Sequence, residues 1–298
     1  LGEMIPVLLS AGEVKSLGGR FIWAGQAYPA GDYSLRNMDK TRFKLLAKKD
    51  GHEITEMDEL QAYHEIHPGA VYMHEGTLYE VVKMDLVGRT AEAVDFDGNY
   101  YTVPSGTKET RILRCFEEEE YKRTEFHFGD VNVNEVISMF QKLQFHNHQN
   151  LGYVTLTQPL KKDYDTESAW ITLPENVVRA YRSLLVPNRQ GQYILNDHFE
   201  GMKYAIKNAS MMITMTERDD IDVAVSNNAT IPDDYYHEKV SLFIYDKYEG
   251  GLGYSEKIYG LVPEILYNAI RMVKGCPCED GCPACVGDYT LDKGMILW

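Results

Sequence analysis

The stretch Gly275-Cys276-Pro277-Cys278-Glu279-Asp280-Gly281-Cys282-Pro283-Ala284-Cys285 gathers four of the chain's five cysteines within ten residues, spaced C-x-C-x3-C-x2-C. Zinc takes four thiolates in a tetrahedron, and a set of four protein ligands is the structural kind, leaving no position for water. Gly281 can adopt the positive φ that a tight loop needs, while Pro277 and Pro283 stiffen the backbone between ligands and reduce the entropy lost on binding. An iron–sulfur cluster also uses four thiolates. Two disulfides would use the same number, but nothing implies an oxidising compartment, and Cys276 and Cys278 are too close in sequence to bridge comfortably. The reading adopted is one structural Zn2+ held by Cys276, Cys278, Cys282 and Cys285, with an iron–sulfur cluster as its competitor. Cys115, by itself, reads as a small buried hydrophobe.

Upstream of this knuckle, Glu249-Gly250-Gly251-Leu252-Gly253 follows an apolar run, Val240 to Tyr245, and precedes a helix that restarts at Pro263 and ends at Gly275. The glycines suggest a nucleotide loop, but the Lys-Ser/Thr pair of a P-loop and the full G-x-G-x-x-G are both missing. A tight turn that lets the helix pack against the strand is the better account. Further back, the runs Met211 to Met215 and Ile221 to Val225 read as buried strands, the segments Glu175 to Leu184 and His198 to Asn208 as helices, and Tyr153 to Leu156 and Ala169 to Leu173 as strands. Val131 to Phe145 is ambiguous. Val131 and Val133 alternate as in a strand, while Val136, Met139, Phe140 and Leu143 have helical spacing; strand is the expectation.

Before the acidic run Glu117 to Glu120, whose like charges favour a solvated boundary, short strands dominate. They are Phe43 to Ala47, Ala70 to His74, Leu78 to Met84, Ala91 to Phe96, Tyr100 to Val103 and Thr110 to Leu113, separated by turns such as Glu75-Gly76 and Asp97-Gly98. That pattern predicts a small antiparallel barrel or sandwich. One helix, Glu56 to His64, interrupts it, with Thr55 and Asp58 as a capping-box-like start. The opening residues read as a short helix, Pro6 to Ser10, then Gly18-Gly19 and a strand, Phe21 to Trp23. The expected fold class is α+β: a small antiparallel β-rich N-terminal domain followed by an α+β domain ending in the four-cysteine zinc site.

Composition narrows the function. An apolar fraction of 44% supports a buried core. No run approaches the roughly 18 apolar residues of a spanning helix, so a cytoplasmic protein without membrane contact is expected. The net charge of −15 opposes broad attraction to phosphate backbones. A local basic strip could lie only in the first fifty residues, among Arg20, Arg36, Lys40, Arg42, Lys44, Lys48 and Lys49, where an ordinary solvated face is the plainer reading. His64 and His67 around Glu65, and His146 with His148, read as solvated or hydrogen-bonded histidines. Asp219, Asp220 and Asp222 read as surface or cap residues. No Ser-His-acid order, activated cysteine or recognisable carboxylate pair is present, so no catalytic residue is assigned and the chain is expected to perform no catalysis alone. Leu1 is not an initiator, and Leu291 to Trp298 reads as a helix cut short, so the expectation is a fragment of a longer protein.

The segments Ile244-Tyr245-Asp246, Gly250-Gly251-Leu252-Gly253, Cys276-Pro277-Cys278 and Gly281-Cys282-Pro283-Ala284-Cys285-Val286 resemble the zinc-binding (MZB) domain that closes helicases of the MrfA type. The resemblance extends through Tyr28-Pro29, Ser34-Leu35-Arg36, His67-Pro68-Gly69-Ala70 and Tyr100-Tyr101-Thr102, covering nearly the whole chain. It implies the C-terminal region of a DEAD/DEAH-box, superfamily 2, ATP-dependent 3′–5′ DNA helicase acting in DNA repair. Residues 1–30 would end a winged-helix-like region, 31–116 form a β-rich linking domain and 117–298 the MZB-like domain. It implies zinc ligation by the four cysteines, with ATP and Mg2+ bound only by motor domains upstream in the parent, since neither a P-loop nor an Asp-Glu-x-His box occurs here. DNA would be met through the parent helicase, with Arg20, Trp23 and Arg36 as nucleic-acid-binding candidates and Trp23 a stacking side chain or, equally, a core residue. The rival reading is a non-catalytic, zinc-stabilised subunit of an antiphage or other DNA-processing complex, for which acidic charge suits protein contact.

Overall fold

The computed structural model describes residues 4–25, 42–121, 124–183, 185–187, 193–195, 198–226, 240–288 and 291–297. The chain divides into two compact units, Leu1–Lys40 and Thr41–Trp298. In the first, helix α1 (Met4–Ser10) precedes a hairpin of β1 (Val14–Leu17) and β2 (Arg20–Trp23). Val14 pairs with Trp23 and Leu17 with Arg20, and the two-residue turn uses Gly18 and Gly19, both at positive φ, as a primed hairpin turn requires.

The second unit is α+β and holds two five-stranded sheets. The smaller contains β3 (Arg42–Ala47), β4 (Glu53–Asp58), β5 (Val71–His74), β6 (Thr77–Asp85) and β7 (Thr90–Asp95), in the order β4-β3-β7-β6-β5. Four of the strand runs read from sequence are found here. The sheet is not wholly antiparallel, because β3 and β7 pair in parallel. Helix α2 (Glu59–Glu65) starts later than expected: Met57 belongs to β4, and Asp58 is the N-cap, accepting the Gln61 N–H at 2.8 Å.

The larger sheet is built on three long strands, β8 (Tyr100–Tyr121), β9 (Thr124–Gln144) and β10 (Asn150–Thr172), extended by β14 (Ser241–Asp246) and β13 (Ile221–Ser226) in the order β13-β14-β10-β9-β8. Short strands read separately from sequence, Tyr100 to Val103 with Thr110 to Leu113 and Tyr153 to Leu156 with Ala169 to Leu173, fall within single strands, save Leu173 just past the end of β10. The acidic run Glu117 to Glu120 is not a loop. It is the end of β8, hydrogen-bonded to β9 from Phe128 to Glu125. At about 3.3 Å per residue, strands of this length reach roughly 70 Å, far enough to serve two cores. At one end Ile137, Phe140, Leu156 and Leu160 pack with Phe43 and Leu45 of the smaller sheet and with Ile66 at the end of its helix. At the other, Phe126, Ala169 and Ile171 pack beneath the helices.

Those helices are α3 (Glu175–Ser183), α4 (His198–Thr214), α5 (Tyr254–Tyr259), α6 (Val262–Gly275) and α7 (Lys293–Leu297), with a small hairpin of β11 (Leu185–Pro187) and β12 (Tyr193–Leu195) between α3 and α4. Met211 to Met215, expected as a strand, forms the end of α4 and the residue after it. Its apolar run continues the helical stripe Ala205, Ile206 and Ala209 against Val223, Ile244, Ile265 and Ala269. None of the described helices is long and apolar enough to cross a membrane.

Candidate metal centre

Strand β14 delivers the chain to the Gly-rich turn, where Gly250, Gly251 and Gly253 all have positive φ. Asp246, fully buried at the strand end, anchors this turn. Its carboxylate accepts the N–H groups of Leu252 (2.6 Å), Tyr254 (3.2 Å) and Ser255 (3.0 Å) and the Ser255 hydroxyl (2.7 Å). The turn is thus a packed corner built around a carboxylate, consistent with the structural reading of its glycines. Helix α6 begins with Pro263 in its first turn and runs to Gly275, so its C-terminus opens directly into the cysteine loop.

There the four cysteines converge. Sγ of Cys276 lies 3.6 Å from that of Cys282, Cys278 is 3.5 Å from Cys285, and Cys282 is 3.7 Å from Cys285. All four sulfurs fall within 4.8 Å of one another. A tetrahedron of sulfurs about 2.3 Å from a central zinc has edges of about 3.8 Å, so the cage would take one ion by opening these three edges a few tenths of an ångström or less. Disulfides, at about 2.05 Å, are excluded by these separations. A polynuclear cluster, which needs several metal atoms between its ligands, has no room.

The surroundings prepare the thiolates. The backbone N–H groups of Ala284 and Cys285 point at the Cys282 sulfur, with help from the neighbouring thiols, and hold it down to about 7 against the opposing effect of burial. Burial, with the neighbouring thiols, pushes the Cys285 thiol up, so metal binding there would release its proton. Cys285 and Val286 donate back to the Cys282 carbonyl at 3.1 and 3.0 Å, closing the knuckle. Gly281 has φ +131°, and a Cβ there would stand 2.4 Å from the Leu291 carbonyl oxygen, so the glycine is required by both backbone and space. Lys293 of α7 donates to the carbonyls of Cys276 (2.7 Å) and Cys278 (3.2 Å). Cys285, Val286 and Leu291 belong to the main core. The knuckle is therefore a corner of the core.

The other candidates are scattered. Arg20 and Trp23 are exposed on β2, Trp23 by 42%, and Arg36 lies outside the described residues. Cys115 is exposed, contrary to the buried role expected of it. His64 sits 2.9 Å from Glu135, His67 is fully buried against Phe140, and His148 meets the Tyr101 hydroxyl at 2.9 Å.

Sequence reasoning missed a buried ionic group. Of the three aspartates expected as surface or cap residues, Asp219 is exposed, and Asp220 is buried and accepts the Glu217 N–H of the turn before it. Asp222 bonds Lys108 at 2.5 Å and Lys207 at 2.7 Å. Lys108 also meets Glu135 at 3.2 Å. Lys108 and Glu135 line a cleft of about 550 Å³ with His64, Glu200, Lys203 and Val223. Nothing local in sequence marks this group, since its members come from β8, β9, α4 and β13.

Comparison with known proteins accords with this geometry. Residues 202–286 match the MrfA Zn-binding domain family. The chain is 28% identical over 276 residues to the ATP-dependent helicase YprA of Bacillus subtilis, covering 91% of this chain and 34% of that protein. It is 20% identical over 287 residues to the ATP-dependent helicase HRQ1 of Saccharomyces cerevisiae, covering 91% of this chain and 25% of the relative. Among solved structures, the DUF1998 helicase MrfA bound to DNA matches with a TM-score of 0.54 and 25% identity, over 100% of this chain and 38% of that one. A second MrfA structure, 24% identical, shares the fold with a TM-score of 0.59 over 95% of this chain. The chain spans about a quarter to two fifths of the length of the helicases it matches.

Proposed function

We propose that this chain is the accessory and zinc-binding region of an ATP-dependent DNA helicase of the MrfA type, a structural platform beside a motor that lies elsewhere in the same polypeptide. The observation that carries this reading is the likeness to helicases over nearly the entire chain, joined to four sulfurs spaced for one zinc ion. Zinc bound by Cys276, Cys278, Cys282 and Cys285 would supply folding free energy, with no open position for Lewis-acid chemistry. The residues themselves do the rest. Lys293 ties α7 to the ligand loop, Asp246 fixes the corner that aims α5 and α6, and β8 to β10 connect the two cores.

In this reading ATP and Mg2+ belong to the motor, the parent acts 3′–5′ in DNA repair in the cytoplasm, and the rigid region serves as a wall against which the motor pulls the strand. Arg20, Trp23 and Arg36 are the proposed DNA contacts, a role supported by the exposure of Arg20 and Trp23 on β2. Residues 117–298 would act together as the zinc-bearing portion, and 1–30 as the end of a winged-helix-like region. The test uses the full-length parent with and without Cys282→Ser, assayed for DNA-stimulated ATP hydrolysis and for unwinding of a 3′-tailed duplex. Retained hydrolysis with lost unwinding is expected. Equal unwinding by both proteins would overturn the platform role, and absence of a motor from the parent would return the chain to the role of a non-catalytic subunit.

A further inference from the structure

Apart from the knuckle, a second group of metal-ligating atoms converges in the described residues: Cys115 Sγ, a carboxylate oxygen of Glu118 and a ring nitrogen of His127, all within 4.8 Å of one another. Three residues of different chemistry meet here because of how β8 and β9 pair. Glu118 stands directly opposite His127, and Cys115 opposite Gly129, with Phe116 as an extra residue between them. This bulge keeps Cys115 and Glu118, three residues apart, on one face of the strand, which is the face His127 occupies. Without it the period of two would turn them to opposite sides. Gly129 permits the close pairing, since a Cβ there would lie 2.0 Å from the Arg114 carbonyl oxygen.

The histidine is held ready. It is only 9% exposed, and its ring stacks on Trp170, its cross-strand neighbour in β10, at 5.1 Å and 12°. The Glu125 carboxylate stands 3.6 Å from Nε2, and Nδ1 faces the Cys115 sulfur at 3.9 Å. The negative charge near Nε2 favours the proton on that nitrogen and leaves the Nδ1 lone pair for a metal. Sulfur and nitrogen bound to one tetrahedral zinc are separated by about 3.6 Å, so the observed gap needs to close by only a few tenths. Glu117, Glu119 and Glu120 add negative charge around the site.

We propose that Cys115, Glu118 and His127 form a second, exchangeable site for a borderline divalent ion of the zinc class, with its fourth position open to solvent. Thiolate, imidazole and carboxylate together suit zinc or cobalt and disfavour magnesium or calcium, which take oxygen ligands. The inference is independent of the helicase reading, since it rests on the strand geometry alone.

The experiment titrates Co(II) into the full chain already loaded with zinc at the knuckle, following thiolate-to-cobalt absorption, Trp170 fluorescence and metal content. Wild type is expected to bind one further Co(II), with a charge-transfer band and quenched Trp170 emission. Cys115→Ser should lose that equivalent while keeping the knuckle zinc and an unchanged melting temperature, and His127→Gln should lose it while keeping the knuckle zinc. No further Co(II) in wild type, or retention of the band in either variant, would overturn the site. Glu118→Gln, which leaves the strand pairing intact, should weaken Co(II) binding about tenfold or more, as removal of a ligand predicts; unchanged affinity would remove Glu118 from the set.

Discussion

The Lys293 ammonium donates to the carbonyl oxygen of Cys276 at 2.7 Å, and so the last described helix is fastened to the first metal ligand. A second bond, to the Cys278 carbonyl at 3.2 Å, makes Lys293 a bracket across the loop that the two cysteines span. Hydrogen bonds from a charged donor contribute about 1.5–3 kcal/mol each when well formed. Lys293→Met should therefore leave zinc stoichiometry at one but speed zinc loss to a chelator and lower the melting temperature by a few degrees. Stopped-flow zinc release with a chromogenic chelator measures it; wild-type kinetics would show that the bracket does nothing for the metal.

Cys282→Ser tests the knuckle itself. Zinc binding contributes on the order of 10 kcal/mol in small zinc domains, and losing even a third of that should lower the melting temperature by about 6–12 °C in a chain of this size. Metal analysis and thermal unfolding should fall together. A variant that kept both zinc and stability would mean the sulfur cage is not a metal site.

Gly281→Ala should be costly for a different reason. The new methyl group would be forced toward the Leu291 carbonyl oxygen at a φ that L residues rarely adopt, which costs about 1–3 kcal/mol. Because the damage falls on the loop and not on a ligand, zinc should still bind, with weaker affinity. Competition against a chelator of known affinity distinguishes this from loss of the site.

Asp222 should make stability depend on acid. Burial pushes its carboxyl up, but the ammonium groups of Lys108 and Lys207 outweigh this and hold it well below the usual range. A depressed carboxylate stabilises the fold above its unfolded value, near pH 4, and that contribution disappears as pH falls further. Asp222→Asn should cost about 3 kcal/mol at pH 7, since it leaves Lys207 buried without its partner charge. The gap between variant and wild type should narrow below pH 4. Urea denaturation across pH 3–7 measures it, and a gap independent of pH would show that the charge of Asp222 is not what stabilises the group.

How much of this was legible in the sequence depended on whether the information was local. The knuckle was, because its four ligands and Gly281 lie within ten residues. The strand β9 was legible only in part, for a reason the register explains. Ser138 is an extra residue between the pairs Ile137–Gly106 and Met139–Ser105, so the buried positions Ile137 and Phe140 stand three apart. A bulge of this kind mimics helical spacing. The same device hid the Cys115 group, whose residues look like a stray cysteine in an acidic run. Asp222 was misread because nothing near it in sequence foretells Lys108, more than a hundred residues away. Met211 to Met215 was misread because a short apolar run at the end of a helix cannot be told from a strand by its length.

The pairing of β10 with β14 has a consequence for the chain as it is made. Ser168 finds Tyr245, and Thr172 finds Ser241, only after some seventy further residues have left the ribosome. At about 5–20 residues per second, the inner edge of β10 waits roughly 4–15 s with Ala169, Trp170 and Ile171 unpaired. During that interval the growing chain holds an uncovered strand of the sort that seeds aggregation. Arrival of β14, and then of the cysteine loop that completes the core behind it, ends the exposure, so production of this protein should be limited by translation speed and by chaperones that shield that edge.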